Sequence, residues 1–286
     1  MVGSGAGKCD STVLWALEWI TTMSDPLRRG LHDLTRTLQR LPVILYFSWT
    51  DTKARYIRSV LGPFWLVLGT LIGVIGLGVL WTALLDMNAR EYFPSLAIGL
   101  VLWQWVSGCV SQAPSTLVQQ GPVIRNIDLP ATFFCFGPVI GQTVTFVHNL
   151  IIVLLVLIVF PPNTGWANLV LSLLGLMLTF VNLLWVSTAL AFAGARFRDL
   201  DPAVTAVMPL LFFLSPVLFR VHQLPINAAF VWLNPFSYPI TAIREPLLGT
   251  PPDPLIYLVL AVSALLGWLS MVWLVGSHGK RLPFWI

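Results

Sequence analysis

The chain has 286 residues, 57% of them hydrophobic and 10% charged, with a formal net charge of +4. Because soluble domains carry about 25% charged residues, this composition excludes a soluble enzyme and a nucleic-acid-binding domain. It predicts an all-α membrane protein, in which the number of membrane spans matters more than the number of domains.

The first 27 residues form an N-terminal extension that includes the string GSGAGKC at residues 3–9. This string resembles a phosphate-binding loop, whose pattern is G-x-x-x-x-G-K-[ST]. Val2, however, stands where the first glycine is required, and Cys9 stands where a hydroxyl would bind magnesium. We therefore expect this chain to hold no nucleotide cofactor, and we interpret the string as a flexible, small-residue segment. The three cysteines have no paired spacing, so we also expect no metal site.

Residues 28–58 are basic and are expected to lie on the inner membrane surface. Leucines recur there at three- and four-residue intervals, at Leu31, Leu34, Leu38, Leu41 and Leu45. This spacing predicts an amphipathic helix with its arginines toward water. Pro42 is expected to bend the helix, because a proline inside a helix removes a backbone hydrogen bond.

Six segments are long and apolar enough to be transmembrane helices, which need about 20 residues. They are Leu61–Leu85, Ser95–Ala113, Ala131–Phe160, Ala167–Ala193, Ala203–Phe219 and Leu255–Gly276. The third is long enough to require tilting or protrusion from the bilayer. The fifth is short and contains Pro209 and Pro216, so we expect it to be kinked.

Lysine and arginine are distributed unevenly over the segments that connect these spans. With the N-terminus in the cytoplasm, 13 of the 16 lie on the cytoplasmic side, and only Arg90, Arg220 and Arg244 lie outside. Cytoplasmic loops carry the excess of basic residues in membrane proteins, so we expect both termini in the cytoplasm.

Two connecting segments are more apolar than simple loops. Residues 114–130 are bounded by prolines on the predicted cytoplasmic side, and we expect them to contain a short helix. Residues 220–253 lie outside and contain the apolar runs Ala228–Phe236 and Tyr238–Leu248, which prolines interrupt. Runs of this length are typical of re-entrant or interfacial segments.

Ionisable residues are nearly absent from the predicted spans, and residues 129–195 contain no Asp, Glu, Lys or Arg. An ion-driven transporter would need such groups at mid-membrane. His148 could relay a proton or help to bind heme, but no partner is placed for either role. We interpret His148 and Asn149 as a polar pair that hydrogen-bonds across a helix interface. If the chain moves a substrate, another polypeptide must provide the energy.

Aromatic residues are abundant, with 13 Trp, 17 Phe and 5 Tyr. Some belong to belts at the membrane surfaces, and others, such as Trp103 and Trp105, are expected within the bilayer. Rings suit the C–H faces of sugars, although belt and packing roles are the simpler alternative. As a sugar-facing set we select five rings of the first and fifth spans: Phe64, Trp81, Phe212, Phe213 and Phe219. Gly69 and Gly73 of the first span have a spacing that favours close helix packing.

Five ordered motifs resemble those in the permeases of ABC-2-type polysaccharide exporters. They are TDTKARYIRSVLGPFW at residues 50–65, FVHNLI at 146–151, ARFRDLD at 195–201, SPV at 215–217 and NPFSYPITAIREPLLG at 234–249. Each motif is weak alone, but the ordered set is fairly specific. Thr50 departs from the pattern, in which an arginine often precedes the aspartate, and the N-terminal extension is unexplained.

The resemblance implies a homodimer of six-span subunits in the inner membrane, with both termini in the cytoplasm. Two copies of a separate ATPase would bind ATP and magnesium, and the substrate would be an undecaprenyl-linked glycan such as O-antigen. The chain would divide into the extension (1–27), an amphipathic interface helix (28–58), a six-span domain (59–280) and a C-terminal tail (281–286).

The resemblance also implies roles for three groups of residues. A coupling helix within residues 114–128 would dock on the ATPase through Gln119, Gln120, Val123, Ile124, Arg125 and Asn126. Extracytoplasmic gate helices within residues 224–249 would include Trp232, Asn234, Pro235, Phe236 and Tyr238. A cytoplasmic surface for lipid headgroups or ATPase coupling would comprise Arg55, Arg58, Arg196, Arg198 and Asp199. A helix-end salt bridge is the alternative for the last three residues.

Other functions also fit parts of the sequence. An ABC-2 permease for a teichoic acid, a capsule, a lipid or a drug would share the architecture. An intramembrane glycosyl- or acyltransferase would need clustered acids or histidines, whereas Asp86, Glu91, His222, Glu245 and Asp253 are scattered along the outer segments. A structural scaffold would not need the coupling and gate segments.

Overall fold

The computed structural model describes residues 26–54, 59, 64–86, 88–221 and 229–286, and these residues contain no β-strand. The helices in chain order are α1 (26–39), α2 (Leu41–Ala54), α3 (Phe64–Leu85), α4 (Ala89–Gln119), α5 (Gly121–Asn126), α6 (Ala131–Val159), α7 (Trp166–Arg196), α8 (Leu200–Leu214), α9 (Ala229–Leu233), α10 (Ser237–Leu247), α11 (Pro254–His278) and α12 (Leu282–Trp285). A 3₁₀ turn at Gly279–Arg281 joins the last two.

Five of these helices are long and apolar enough to cross a membrane: α3, α4, α6, α7 and α11. The central helix is α4, which is buried along most of its length and packs against α3, α6, α7 and α8. The other four expose wide apolar faces, as helices in contact with lipid or with a further chain do. The chain is therefore an all-helical, multi-pass membrane protein, as its composition predicts.

The fifth predicted span, Ala203–Phe219, forms the shorter helix α8 of 15 residues. The helix ends where Ser215, with φ −83° and ψ 147°, adopts the extended conformation favoured before a proline. Fifteen helical residues span about 22 Å, whereas the hydrocarbon layer is about 30 Å thick. The predicted helix end at Phe219 is therefore wrong, and α8 is too short to cross a bilayer by itself.

The second span is longer than predicted, because α4 continues through Pro94 and Pro114 to Gln119. Gly194 of α7 makes room at Pro114, since a side chain at Gly194 would overlap the main-chain oxygen of Pro114. The predicted cytoplasmic segment 114–130 therefore begins as part of a spanning helix, and its separate helix is α5 alone.

The predicted amphipathic helix over residues 28–58 is interrupted at Arg40, which separates α1 from α2. Pro42 lies in the first turn of α2. The N–H groups of a first turn have no intrahelical acceptor, so a proline at this position costs the helix no hydrogen bond. Helix α1 packs against the C-terminal end of α11 through two glycines. A side chain at Gly30 would overlap the main-chain oxygen of Val272, and one at Gly276 would overlap that of Pro26.

On the opposite side of the bundle, α10 is buried at Ser237 and from Pro239 to Pro246, and it packs against α7 and α11. Ser172 of α7 donates a hydrogen bond to the main-chain oxygen of Ile243 at 3.0 Å. A Cβ atom at Gly175 of α7 would lie 2.7 Å from the main-chain oxygen of Ala242, so only glycine permits this approach. The predicted re-entrant character of this segment fits its burial, because its polar backbone atoms have partners within the protein.

The predicted polar pair joins helices through one of its members. Asn149 Nδ2 donates to Gln104 Oε1 of α4 at 3.3 Å, and Thr70 Oγ1 of α3 donates to the same oxygen at 2.9 Å. His148 Nδ1 lies 2.8 Å from the main-chain oxygen of Val144 in its own helix. The hydrogen bond across a helix interface is thus confirmed for Asn149, whereas the hydrogen bond of His148 to Val144 stays within α6.

Candidate functional site

The short helix α5 lies between α4 and α6, at the end of the bundle that was predicted to face the cytoplasm. It begins with Gly121-Pro122, where proline fits the first turn, and it ends where Ile127 becomes extended. The structure brings the predicted coupling residues together at this corner. Five of them are exposed and Ile124 is half-buried; the exposed residues are Gln119, Gln120, Val123, Arg125 and Asn126. This corner offers a contact surface that requires no rearrangement of the bundle.

The C-terminal residues Trp285 and Ile286 pack next to α5 and form a brace that supports it. Arg125 donates to the main-chain oxygen of Ile286, and a Cβ atom at Gly121 would lie 3.8 Å from the Ile286 side chain. Arg198, at the end of α7, donates to the main-chain oxygen of Trp285 at 3.2 Å. The guanidinium of Arg196 lies over the Trp285 ring, 5.2 Å from its centroid. The segment therefore links α5 to the α7–α8 corner.

The contacts with Trp285 involve two residues of the predicted cytoplasmic surface, Arg196 and Arg198. Arg196 and Arg198 are exposed and contact Trp285, whereas no ion pair in the described chain joins either of them to Asp199. The alternative of a helix-end salt bridge is therefore wrong for these side chains as they stand. Arg55 and Arg58 lie outside the described residues.

Helix α1 is attached to the start of α6 by polar contacts. The carboxylate of Asp33 accepts hydrogen bonds from the backbone N–H of Ala131 at 2.9 Å and of Thr132 at 3.2 Å. These are two of the N–H groups that a helix N-terminus leaves without intrahelical partners, and the negative charge also suits the helix dipole. Arg36 of α1 forms a salt bridge of 3.1 Å with Asp128, just before α6.

The end of α8 is joined to the segment between α9 and α10. Asn234 Nδ2 donates to Ser215 Oγ at 2.8 Å, and Asn234 Oδ1 accepts from the backbone N–H of Phe236 at 3.0 Å. Ser215 and Asn234 are both buried. The sequence motifs SPV and NPF are therefore partners in space, although 16 residues separate Val217 from Asn234 in the chain.

The predicted gate residues form a compact group around this joint. Tyr238 Oη donates to the main-chain oxygen of Trp232 at 2.9 Å, and the two rings lie 5.3 Å apart. Phe236 is buried, whereas Pro235 is exposed. The five residues are thus near one another in the fold, around the C-terminal end of α8 and beside the middle of α4.

The predicted sugar-facing rings fall into two classes. Phe64 and Phe213 are each 65% exposed, whereas Trp81, Phe212 and Phe219 are partly buried. Phe212 packs against Trp103 of α4 with ring centroids 5.5 Å apart. Trp103 also contacts Phe236 at 5.4 Å, so it connects α8 to the gate segment. Trp103 is itself buried within the protein, since only 9% of its surface is exposed.

A buried group of charged residues, Arg220, Arg244 and Glu245, lies beside the gate residues; we call it the outer ion group. Arg244 has no exposed surface and donates to Glu245 Oε1 from Nε at 3.1 Å and from Nη2 at 2.9 Å. Its Nη1 donates to the main-chain oxygens of Pro216 and Phe219, the latter at 3.2 Å. Arg220 Nε donates to Glu245 Oε2 at 3.1 Å. The group therefore fastens α10 to the turn that follows α8.

The charges of this group determine the ionisation of Glu245. Burial alone would raise the pKa of its carboxyl, but hydrogen bonds and charge from Arg220 and Arg244 outweigh burial and lower the pKa. Glu245 therefore stays ionised and balances part of the charge of the two arginines. The sequence placed Glu245 only among the scattered acidic residues of the outer segments and did not predict its pairing with the two arginines. The sequence feature that could have predicted this group is the adjacent Arg-Glu pair inside an apolar run, because ionisable residues rarely occur in such segments without partners.

Comparison with known proteins gives consistent matches over most of the chain. Residues 43–248 match the family model described as ABC-2 type transporter. An O-antigen export system permease protein RfbA from Myxococcus xanthus is 26% identical over 227 residues, which are 77% of this chain and 86% of that protein. Two proteins of the same description from Klebsiella pneumoniae are 24% and 22% identical over 202 residues, 68% of this chain and 76% of each relative.

Proposed function

The chain belongs to the ABC-2 type transporter family, and we propose that it is the membrane subunit of an ATP-driven exporter for a lipid-linked, O-antigen-like glycan. The main support for a glycan substrate is the similarity, over more than two thirds of the chain, to several O-antigen export permeases. The absence of Asp, Glu, Lys and Arg from residues 129–195 supports an energy source outside this subunit.

We propose six membrane crossings in the inner membrane, with both termini in the cytoplasm. The five long apolar helices provide five crossings, and α8 with the extended turn that follows it provides the remaining one. The excess of lysine and arginine on the side of α1, α5 and the C-terminal residues supports this orientation.

We propose that α5 and its flanking residues dock on a separate ABC ATPase, which binds ATP and magnesium. The exposure of Gln119, Gln120, Val123, Arg125 and Asn126 supports this role. Arg196 and Arg198 support the same surface through Trp285, and with Asp199, Arg55 and Arg58 we assign them to the cytoplasmic interface. One ATPase for each subunit gives two copies in a complete transporter.

We propose that two copies of the chain enclose the substrate path. On α3, a Cβ atom at Gly69, Gly73 or Gly76 would meet no other atom within 4 Å, which leaves a small-residue face for a second copy. Phe64, Trp81, Phe212, Phe213 and Phe219 are the rings that we assign to the path. Trp232, Asn234, Pro235, Phe236 and Tyr238, on and between α9 and α10, would close its outer end.

The test is export in a cell whose own exporter has been deleted. The chain is expressed with the ATPase encoded beside it, and undecaprenyl-linked glycan is measured on the cell surface and inside the cell. We expect surface glycan only when both proteins are present, with an inactive ATPase variant as the control. An assembled complex that hydrolyses ATP while all O-antigen stays inside would rule out this substrate. Restored display of a teichoic acid or capsule glycan would identify the alternative.

A further inference from the structure

A cleft of about 750 Å³ opens on the cytoplasmic side, between α1, the connection from α5 to α6, and the end of α11. Basic side chains outnumber carboxylates along it, and we call it the basic cleft. The basic residues are Arg28, Arg29, Arg36, Arg125 and Lys280, with His32 beside them, and the carboxylates are Asp33 and Asp128. The cleft therefore has a positive formal charge and suits an anionic ligand.

Both carboxylates already have partners within the protein. Asp33 accepts hydrogen bonds from the first N–H groups of α6, and Asp128 pairs with Arg36. Within the residues that the structure describes, Arg28 and Lys280 have no hydrogen bond or ion pair from their side chains. Two cations that line the cleft, one from α1 and one from the turn after α11, are thus left for a ligand.

The leucines of α1 indicate the depth of the cleft relative to the membrane. Leu27, Leu31 and Leu38 lie along one side of this helix and are 40%, 53% and 52% exposed. Arg28 and His32, one helical turn apart, lie on another side and face the cleft. A helix of this kind places its leucines among acyl chains and its basic side at the level of the phosphates.

The neighbouring helix supports the same depth. Tyr46 and Trp49 of α2 are 67% and 52% exposed, and these two residue types concentrate where the bilayer meets water. Val275 and Gly276, in the last two turns of α11, form part of the cleft wall. The cleft therefore lies where a transmembrane helix leaves the bilayer, next to lipid headgroups.

We propose that the basic cleft binds the phosphate headgroup of an anionic phospholipid from the cytoplasmic leaflet. Basic pockets between helices on the cytoplasmic side are recognised sites for such headgroups. Because α1 and the residues that follow α5 both line the cleft, a bound lipid sets the distance between the interface helix and the docking corner. The proposal does not depend on which substrate the transporter carries.

The test measures lipid binding to the purified full-length chain in an uncharged detergent. Native mass spectrometry counts bound molecules during titration with short-chain phosphatidylglycerol, short-chain phosphatidylcholine or inorganic phosphate. The cleft variant is Arg28→Gln/Lys280→Gln. The matched control, Arg40→Gln/Arg281→Gln, removes two cytoplasmic charges that do not line the cleft. We expect phosphatidylglycerol affinity to fall roughly fivefold for each charge removed from the cleft, and less than twofold in the control.

A second pair of variants tests the cleft without removing any native charge. Gly279 lines the cleft, and a Cβ atom there would meet nothing within 4 Å. Gly279→Glu should therefore be tolerated and should weaken phosphatidylglycerol binding by charge repulsion. Gly279→Gln has nearly the same shape and should leave the affinity within twofold of the wild type.

Four results would overturn the proposal. Equal weakening in the Arg40→Gln/Arg281→Gln control would show a diffuse surface charge effect. Equal binding of phosphatidylcholine would show that the cleft does not distinguish an anionic headgroup from one without net charge. Displacement of the lipid by an equal concentration of inorganic phosphate would make the cleft a free-anion site. Weaker ATPase docking by the cleft variant with unchanged lipid binding would assign the cleft to the partner protein.

Discussion

The two ends of the bundle are held together by contacts of different physical kinds. At the end that carries α5, which we propose faces the cytoplasm, exposed arginines donate hydrogen bonds to the main chain of Trp285 and Ile286. At the other end, which we propose is the outer end, α10 is fastened by Arg244 and Glu245, which are 0% and 8% exposed. An exposed hydrogen bond of this kind contributes about 1 kcal/mol or less, whereas removing one partner of a buried ion pair costs about 3–5 kcal/mol.

This difference indicates how each end is able to move. Contacts at the cytoplasmic end exchange with water at little cost, which suits a surface that docks and releases another protein. The outer end loses several buried hydrogen bonds at once if α10 separates from the turn after α8, which suits two discrete arrangements.

Arg244→Met should produce the largest loss of stability. The change leaves Glu245 buried with one guanidinium and leaves the main-chain oxygens of Pro216 and Phe219 without this donor. We expect the free energy of unfolding to fall by about 3–5 kcal/mol. The measurement is denaturant unfolding of the purified protein in detergent, with the exposed Arg281→Met as the control. Equal midpoints for the two variants would mean that the outer ion group does not hold α10.

Phe212→Ala and Phe213→Ala should separate packing from the proposed substrate path. Phe212 packs on Trp103, so its removal should cost about 2–3 kcal/mol, below the value for a fully buried ring. Phe213 is 65% exposed, and its removal should change stability by less than about 0.5 kcal/mol. If Phe213 contacts sugar, its alanine variant should reduce surface glycan by roughly fivefold, whereas Phe213→Tyr should preserve it. Full display by Phe213→Ala in an assembled complex would make this ring a lipid contact.

Asn234→Ala should destabilise the joint between α8 and the gate segment by about 1–3 kcal/mol. It removes the hydrogen bond to Ser215 and leaves the buried N–H of Phe236 without its acceptor. Ser215→Ala is the matched variant, and unfolding of both single variants and the double variant completes a cycle. We expect a coupling energy of about 0.5 kcal/mol or more. Strict additivity would show that the two motifs do not depend on each other.

Gln120→Cys should leave stability within about 0.5 kcal/mol of the wild type, because this side chain is exposed. In a Cys9→Ser background it should crosslink to the ATPase in membranes, whereas a cysteine at Asp253 should not. Labelling of Gln120→Cys by an impermeant reagent added outside intact cells would contradict the proposed orientation.

The sequence predicts the spanning helices well, because long apolar segments must satisfy their backbone hydrogen bonds internally. The start of α6 at Ala131 agrees with the prediction, as does the position of α11. Errors arise at prolines. Pro114 remains inside α4 because Gly194 makes room for it, whereas Pro216 ends α8. Composition and spacing do not contain these tertiary contacts.

The candidate site is less predictable than the spans. The exposed corner at α5 follows from its short length and flanking prolines, and the structure agrees. The outer ion group joins Arg220 to Glu245, which are 25 residues apart, and the brace joins Arg125 to Ile286 across 161 residues. Local periodicity cannot predict such pairings. Trp285 gives no signal in the sequence beyond its aromatic side chain.

The close packing of α10 on α7 at Gly175 bears on the permeability of the membrane. The backbone of α10 approaches α7 at this glycine so closely that a methyl group would act as a wedge between the two helices. A glycan exporter opens a wide conduit, and the same membrane must keep solutes apart when no polymer is passing. If α10 closes that conduit, Gly175→Ala should make cells permeable to bulky hydrophilic dyes that the wild type excludes. Unchanged dye exclusion with normal protein levels would separate α10 from the permeability barrier.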